Sequence, residues 1–187
     1  GWSVWCGSSA GSSALLTLGA AALEPAAARY HVGPALHLRP QIMSVHIVQF
    51  RPQDRACWEI LARAYKEFYN TPTADAEFAR AWERLLIRDG VFGLGAVRGG
   101  EMVGVAHYLF HTSTWAPVAC YLQDLFTLPA ARKQGVARAL IEAVAAEARQ
   151  RGAARLYWLT QEHNAVARAF YDKVAKYSGF IRYDCTL

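Results

Sequence analysis

The segment "LPAARKQGVARAL" (Leu128–Leu140) joins a β-rich run to a predicted helix through a basic turn that contains one glycine. Arg132, Lys133 and Arg138 stand at the start of that helix. The dipole of a helix places about half a positive charge at its first turn, so cations at this end are unfavourable unless an anion compensates them. The segment therefore predicts a helix N-terminus that binds an anion.

The residues around the turn favour a pyrophosphate as that anion. A strand is predicted over Val118–Leu128 and ends at Pro129, and Gly135 and Ala137 are small residues where the helix begins. The free N–H groups of a first helical turn point at phosphate oxygens, and small residues let the backbone approach them. A solvated basic helix start is the alternative explanation of the same residues.

Two stretches resemble a known family. "RKQGVA" (Arg132–Ala137) resembles the motif by which the GNAT superfamily of N-acetyltransferases binds the pyrophosphate of acetyl-coenzyme A. "LYWLTQEHNAVARAFYDKVAKYSGFIRY" (Leu156–Tyr183) resembles the second half of that fold, most closely in the branch of histone, polyamine and D-amino-acid acetyltransferases. More residues separate Lys173 from Gly179 than in the common form of the family. The resemblance implies direct acetyl transfer from acetyl-coenzyme A, as cosubstrate, to a small amine, polyamine, amino acid or protein lysine.

The order of predicted elements agrees with that fold. We predict a mixed α/β fold in which a central, mostly antiparallel sheet of about six or seven strands is flanked by four helices. The predicted strands are Val45–Phe50, Val91–Val97, Met102–Phe110, Val118–Leu128, Arg155–Thr160 and Phe180–Tyr183, and the predicted helices are Asp54–Tyr69, Asp75–Arg88, Gly135–Arg151 and Asn164–Lys176.

Composition changes sharply at Met43. Residues 1–42 are rich in Ala, Gly, Ser and Leu and nearly free of charge, whereas residues 43–187 carry regular strand and helix patterns. We predict an acetyltransferase domain over 43–187 and an irregular or non-native N-terminal extension over 1–42. The apolar run Ala14–Leu23 is too short to span a bilayer, so we expect no membrane partner.

The pattern of charges and cysteines argues against a protein that binds nucleic acid or zinc. The formal net charge is +5, but the Lys and Arg residues are interleaved with acids, so we expect no nucleic-acid partner. There is no CxxC pair and no histidine at zinc-ligand spacing. We therefore predict a cytoplasmic protein without a metal, whose thiols are reduced and mostly buried. The four thiols are Cys6, Cys57, Cys120 and Cys185.

The resemblance implies two groups of cofactor contacts. Backbone groups of the predicted strand before the basic turn would pair with the pantetheine arm, and the turn itself would bind the pyrophosphate. The strand contacts are Leu125, Phe126 and Thr127, and the turn contacts are Arg132, Lys133, Gln134, Gly135, Val136, Ala137 and Arg138.

Asn164 and Tyr171 are seven residues apart, so on a helix they project from nearly the same side. Tyr171 lies at the edge of an apolar stripe, where its ring can be buried while its hydroxyl reaches a cleft or water. In the family the corresponding tyrosine protonates the departing coenzyme A thiolate, and the asparagine contacts the cofactor. The resemblance implies these roles for Tyr171 and Asn164.

An amine acceptor must lose a proton before it attacks, because its pKa is near 10.4. Asp124 is the candidate general base, since an Asp within a central strand is uncommon, and a purely structural acid is the alternative. His107 and His111, four residues apart on the neighbouring strand, are second candidates as bases or as part of a water relay.

The sequence says least about the acceptor. We expect its pocket to include Glu67, Tyr69 and the "NTPT" segment between the first two helices. We also expect a homodimer, because the C-terminal "FIRYDCTL" could pair at a sheet edge. A non-catalytic module that binds coenzyme A as a sensor is the alternative function.

Overall fold

The computed structural model describes residues 44–186. The predicted extension over residues 1–42, its boundary with the domain and Cys6 lie outside the described residues. Cys120 is buried as predicted, whereas the free thiols Cys57 and Cys185 are exposed.

A mixed five-stranded sheet forms the centre of the described part. The first four strands are antiparallel neighbours, and the fifth joins the fourth in parallel. The predicted α/β class and mostly antiparallel sheet are confirmed, with fewer strands than the expected six or seven. In spatial and chain order the strands are β1 (His46–Gln49), β2 (Val91–Arg98), β3 (Glu101–His111), β4 (Ala119–Thr127) and β5 (Leu156–Trp158).

The predicted last strand over Phe180–Tyr183 is wrong. Residues 176–186 have neither helix nor strand, and the side chains of Phe180 and Tyr183 are 81% and 87% exposed. A strand is stable when a neighbour accepts its backbone hydrogen bonds, and the edge strand β5 has just three residues to offer. Strand-forming residue types are therefore present at the C-terminal end without a long enough partner.

Four α-helices of the described residues flank the sheet, as predicted. They are α1 (Arg55–Phe68), α2 (Asp75–Ile87), α3 (Val136–Gln150) and α4 (Ala165–Tyr171). The last helix ends five residues earlier than the predicted Lys176.

Successive residues of β3 face two different hydrophobic cores. Val105 packs with Trp58 and Trp82 of α1 and α2, whereas its neighbour Ala106 belongs to the core that contains Leu140 of α3. From Val105 to Tyr108, the period-two alternation of a strand therefore sends odd-numbered residues toward α1 and even-numbered ones toward α3. His107, an odd-numbered residue, lies on the α1 side.

A β-bulge changes the direction of side chains in β4. His107 pairs with Asp124, but the next residue of β3, Tyr108, pairs with Leu122, so Gln123 is the extra residue. Leu122 is buried in the core under α3, while Asp124 hydrogen-bonds to His107 on the other side. The bulge thus places on opposite faces two residues that a regular strand would place on one.

Candidate active site

A cleft opens where β4 and β5 separate. Their pairing ends at Leu122 and Trp158, and β4 then runs on to Thr127. The cleft suits a long ligand. The backbone of β4 borders it, and the N-terminus of α3 follows β4 after a short turn. This is where the sequence predicts the pantetheine contacts of Leu125, Phe126 and Thr127.

The N-terminus of α3 is suited to an anion. Its first turn contains no acidic residue, and within residues 44–186 no side chain caps it. The first N–H groups of a helix have no partner inside the helix, so those of Val136, Ala137 and Arg138 are free for a ligand. Gly135 precedes them with φ of 84°, a left-handed conformation that favours glycine.

The side chains of the turn are placed unequally. Arg132 donates from Nε to the Thr127 carbonyl at 3.4 Å, and Gln134 donates to the Ala130 carbonyl at 2.8 Å. Lys133 is exposed with φ of 61°, and Arg138 is 3.9 Å from Glu142. Two of the predicted side chains, those of Arg132 and Gln134, thus hold the turn itself, which leaves the backbone N–H groups of α3 as the main candidates for the predicted anion contacts.

The Thr127 hydroxyl is buried, and no partner accompanies it in the described part of the chain. Thr127 lines neither of the two cavities described below, so its predicted contact with a cofactor stays a prediction.

Tyr171 closes the cleft from α4. Its ring lies 5.4 Å from that of Trp158, and the two residues line a small cavity together with Tyr69 and Leu125. Burial, followed by the charge of Tyr69, raises the pKa of Tyr171 to about 12. The hydroxyl therefore keeps its proton throughout the neutral range.

Asn164 is the N-cap residue of α4. Its side-chain oxygen accepts a hydrogen bond from the Ala167 N–H at 3.2 Å, which caps the helix. The same side chain interacts with the Tyr69 hydroxyl; burial raises the pKa of that phenol overall, although this interaction lowers it. Tyr69 lines the same small cavity as Tyr171, so the structure brings Asn164 close to Tyr171 through Tyr69.

Asp124 projects from β4 toward His107, on the α1 side of the sheet. Its Oδ2 is 3.0 Å from Nδ1 of His107, and the Tyr65 hydroxyl also hydrogen-bonds to the carboxylate. Burial alone would raise the pKa of Asp124, but the hydrogen bonds from His107 and then from Tyr65 outweigh it and lower the pKa. Asp124 is consequently a buried carboxylate that stays ionised at neutral pH.

The carboxylate borders a cavity of about 620 Å³. Two of its aromatic walls are Tyr121 and Tyr157, whose rings stack with centroids 5.1 Å apart. Its polar groups include one carboxylate and one guanidinium, so the cavity can receive both signs of charge. The lining residues are Tyr65, Tyr121, Gln123, Asp124, Tyr157, Leu159 and Arg182.

The sequence identified part of this wall and missed the rest. Tyr69 lines the smaller cavity as expected, but Glu67 is exposed and lines neither cavity. Tyr65, which the sequence analysis did not single out, lines both cavities. A signal for it existed, because Tyr65 precedes Tyr69 by four residues and so shares its helix face.

The two histidines of β3 have different environments. Nε2 of His107 accepts a hydrogen bond from Trp58, so both of its ring nitrogens are occupied. His111 interacts instead with the Tyr157 hydroxyl at 3.1 Å and with the Thr112 carbonyl at 2.8 Å. Neither arrangement leaves a free nitrogen for a base, and Asp124 remains the candidate.

Among residues 44–186 there is no group of three or more His, Cys, Asp or Glu side chains that could hold a metal ion. None of the helices in that part of the chain has the length and apolar character that crossing a bilayer requires.

Comparison with known proteins identifies the family. The model of the acetyltransferase (GNAT) family matches residues 55–177. The chain is 33% identical over 129 residues to a D-amino-acid N-acetyltransferase of Saccharomyces cerevisiae, which covers 66% of this chain and 80% of that protein. It is 31% identical over 108 residues to the thialysine N-epsilon-acetyltransferase of Caenorhabditis elegans, with 58% and 68% covered.

Solved structures agree on the fold. An aminoglycoside N-acetyltransferase in complex with coenzyme A matches with a TM-score of 0.66 at 20% identity, over 79% of this chain and 100% of that chain. A ribosomal-protein-alanine N-acetyltransferase from Brucella melitensis gives a TM-score of 0.65 at 21% identity, over 77% and 99%. The chain belongs to the GNAT family and is an N-acetyltransferase of the branch that includes the D-amino-acid and thialysine enzymes.

Proposed function

We propose that this enzyme transfers the acetyl group of acetyl-coenzyme A to the primary amine of a small acceptor by direct attack in a ternary complex. One observation carries the proposal. The cavity that Asp124 borders and the cavity that Tyr171 borders share Tyr65, Gln123 and Leu159. A proton acceptor and a proton donor thus border two adjoining cavities with common walls, which supports the proton transfers that the reaction requires.

The cosubstrate would lie along β4 and end at α3. The uncapped first turn of α3 supports binding of the pyrophosphate, and the β4 backbone beyond Leu122 supports pairing with the amide groups of pantetheine. The thioester then reaches the cleft near Tyr171. Site residues 125–127 and 132–138 are assigned to the cosubstrate on this basis, with Asn164 acting indirectly by capping α4 and holding Tyr69.

The reaction begins when the acceptor ammonium meets Asp124. The ionised carboxylate attracts the ammonium, takes its proton directly or through water, and leaves a free amine that attacks the thioester carbonyl. The resulting oxyanion is stabilised by N–H groups of the β4 edge. The C–S bond then breaks and the nitrogen loses its second proton. One of the two protons released ends on coenzyme A, and the other passes to solvent, which restores the Asp124 carboxylate.

Tyr171 acts on the leaving group. Its pKa of about 12 exceeds the value of about 8.5 for an ordinary thiol, so the thiolate cannot retain the tyrosine proton at equilibrium. We assign Tyr171 the donation of a hydrogen bond to sulfur as the thiolate forms, with solvent completing the protonation. Its raised pKa keeps this donor present at every pH in which the enzyme is expected to work.

The acceptor cavity favours a molecule with both signs of charge. Asp124 faces the amine, Arg182 offers a site for a carboxylate, and Gln123 adds a neutral polar group between aromatic walls. A polyamine would place additional positive charge beside Arg182, which is unfavourable. The yeast relative is by its name an acetyltransferase of D-amino acids. We therefore propose an amino acid or a similar small zwitterion as the acceptor.

A thiol-release assay tests the function. Purified enzyme and acetyl-coenzyme A are incubated with amino acids of both configurations, their amides, thialysine, polyamines and a lysine-containing peptide. We expect acceptor-dependent release of coenzyme A, with zwitterions preferred. The non-catalytic alternative predicts binding of coenzyme A, seen as a thermal shift, without release for any member of the panel. The homodimer and the cytoplasmic location stay predictions.

A further inference from the structure

Three side chains from three elements form a buried hydrogen-bond chain behind the proposed base. Trp58 of α1 donates from Nε1 to Nε2 of His107 on β3 at 2.9 Å, and Nδ1 of His107 lies 3.0 Å from Oδ2 of Asp124 on β4. Trp58 is 1% exposed and His107 is 9% exposed. These hydrogen bonds therefore link the core under α1 to the wall of the acceptor cavity.

The first link determines the tautomer of His107. An indole N–H donates and cannot accept, so Nε2 of His107 must be the unprotonated nitrogen. The proton of the neutral ring then lies on Nδ1 and points at Asp124. A second proton on the ring would place two N–H donors 2.9 Å apart in a buried site. Trp58 thus favours a neutral His107 that donates its single N–H to the carboxylate.

We propose that Trp58 and His107 are positioning residues, which hold Asp124 as an oriented carboxylate for the acceptor amine; the proposal rests on the function proposed for Asp124. His107 engages Oδ2, so Oδ1 is the oxygen we assign to the acceptor. An aromatic surround keeps the imidazole in place, since the rings of Phe50 and Trp58 lie 6.3 and 6.1 Å from it. Neither residue exchanges a proton with the substrate in this role.

Other polar groups also face Asp124, and they are common to the wild type and to the variants below. α1 and its end contribute two phenols and an ammonium, β4 contributes a phenol, and the C-terminal segment contributes a guanidinium to the same cavity. These groups are Tyr65, Lys66, Tyr69, Tyr121 and Arg182.

The pH dependence of kcat/KM tests the second link. Asp124 acts as a carboxylate, so activity is lost as the pH falls through its pKa. His107→Leu removes the donor but leaves the carboxylate buried, which raises that pKa. We expect the acid limb to move to higher pH by about one unit, the size of one hydrogen bond to a charged group. His107→Asn retains an N–H donor near the place of Nδ1 and should restore most of the wild-type limb.

His111→Asn is the matched control, because His111 lies on the same strand and contacts Tyr157 rather than Asp124. Its acid limb should coincide with that of the wild type. An unmoved limb in His107→Leu, in an enzyme that acetylates an amine, would overturn the proposal. A wild-type enzyme that binds coenzyme A and acetylates no amine would instead overturn the proposed function, and the two failures are thus distinct.

Nitrogen-15 NMR of the imidazole tests the first link without turnover. At neutral pH we expect His107 in the wild type to be protonated on Nδ1 and unprotonated on Nε2. Trp58→Phe keeps an aromatic ring but removes the indole N–H, so the tautomer population should shift toward Nε2–H. A wild-type ring protonated on Nε2, or a tautomer unchanged in Trp58→Phe, would contradict the assigned role of Trp58.

Discussion

The cosubstrate side and the acceptor side of the cleft are built in different ways. The proposed pyrophosphate site is contiguous in sequence, spans residues 132–138 and uses backbone N–H groups at one helix end. The acceptor side combines Tyr65 of α1, Asp124 of β4 and Arg182 of the C-terminal segment. A site made of backbone depends on local conformation, whereas a site made of side chains depends on their chemistry. Substitutions on one side should therefore leave the binding function of the other side unchanged.

Asp124→Asn should give the largest effect, and on the acceptor side alone. The amide retains an oxygen that can accept from His107 but has no charge for the ammonium and no capacity to take its proton. We expect kcat/KM for the amine to fall by about 10² to 10⁴. Calorimetric affinity for coenzyme A should be unchanged. An equal loss of coenzyme A affinity would show that the two sides are not independent.

Tyr171→Phe should lower kcat by about 10² to 10³, the range observed when one donor to a developing anion is removed. The Michaelis constants for both substrates should change little, since the ring and its packing on Trp158 remain. Because the pKa of Tyr171 is about 12, its ionisation should cause no loss of wild-type kcat up to about pH 10. Tyr177→Phe, at an exposed tyrosine, is the control. A fall in kcat of the same size in that control would show that the Tyr171 hydroxyl has no specific role in turnover.

The same contrast explains what the sequence could predict. The turn at Gly135 was recognisable because its signals are local: a strand, a proline, a basic turn and small residues in order. The chain from Trp58 to Asp124 was not, because Trp58 and His107 are 49 residues apart and meet through packing of α1 on the sheet. Long-range contacts of this kind leave no periodic pattern in the sequence.

The bulge at Gln123 is a second reason. Regular alternation would place Leu122 and Asp124 on one face, and the register shift instead sends Leu122 into the α3 core and Asp124 to the cleft. Asp124 could be singled out from the sequence as a chemically unusual strand residue, but its neighbours could not be named without the register. Arg182 was missed for a related reason, since its segment was predicted as a strand.

Gly135→Ala and Gly152→Ala form a matched pair for the cosubstrate side. Both glycines have positive φ, 84° and 68°, and an added Cβ would meet nothing within 4 Å at either. Each substitution should destabilise the fold by about 1 kcal/mol through backbone strain. Gly135 alone adjoins the proposed anion site, so we expect weaker coenzyme A binding, by about three- to tenfold, in Gly135→Ala alone. Equal coenzyme A affinity in the two variants would argue against a pyrophosphate at α3.

Arg182→Gln should have the smallest effect and the most selective one. If the guanidinium receives a carboxylate, kcat/KM should fall by about threefold for an amino acid and stay unchanged for the corresponding amide, because the loss of one exposed ion pair is modest. Arg182 also pairs with Asp184 at 2.6 Å, so Asp184→Asn is the control that keeps the guanidinium and frees it for the acceptor. That variant should retain or increase the preference for zwitterions. Equal losses of kcat/KM for the amino acid and its amide in Arg182→Gln would show that Arg182 shapes the cavity without binding the carboxylate. Polyamines would then again be candidate acceptors.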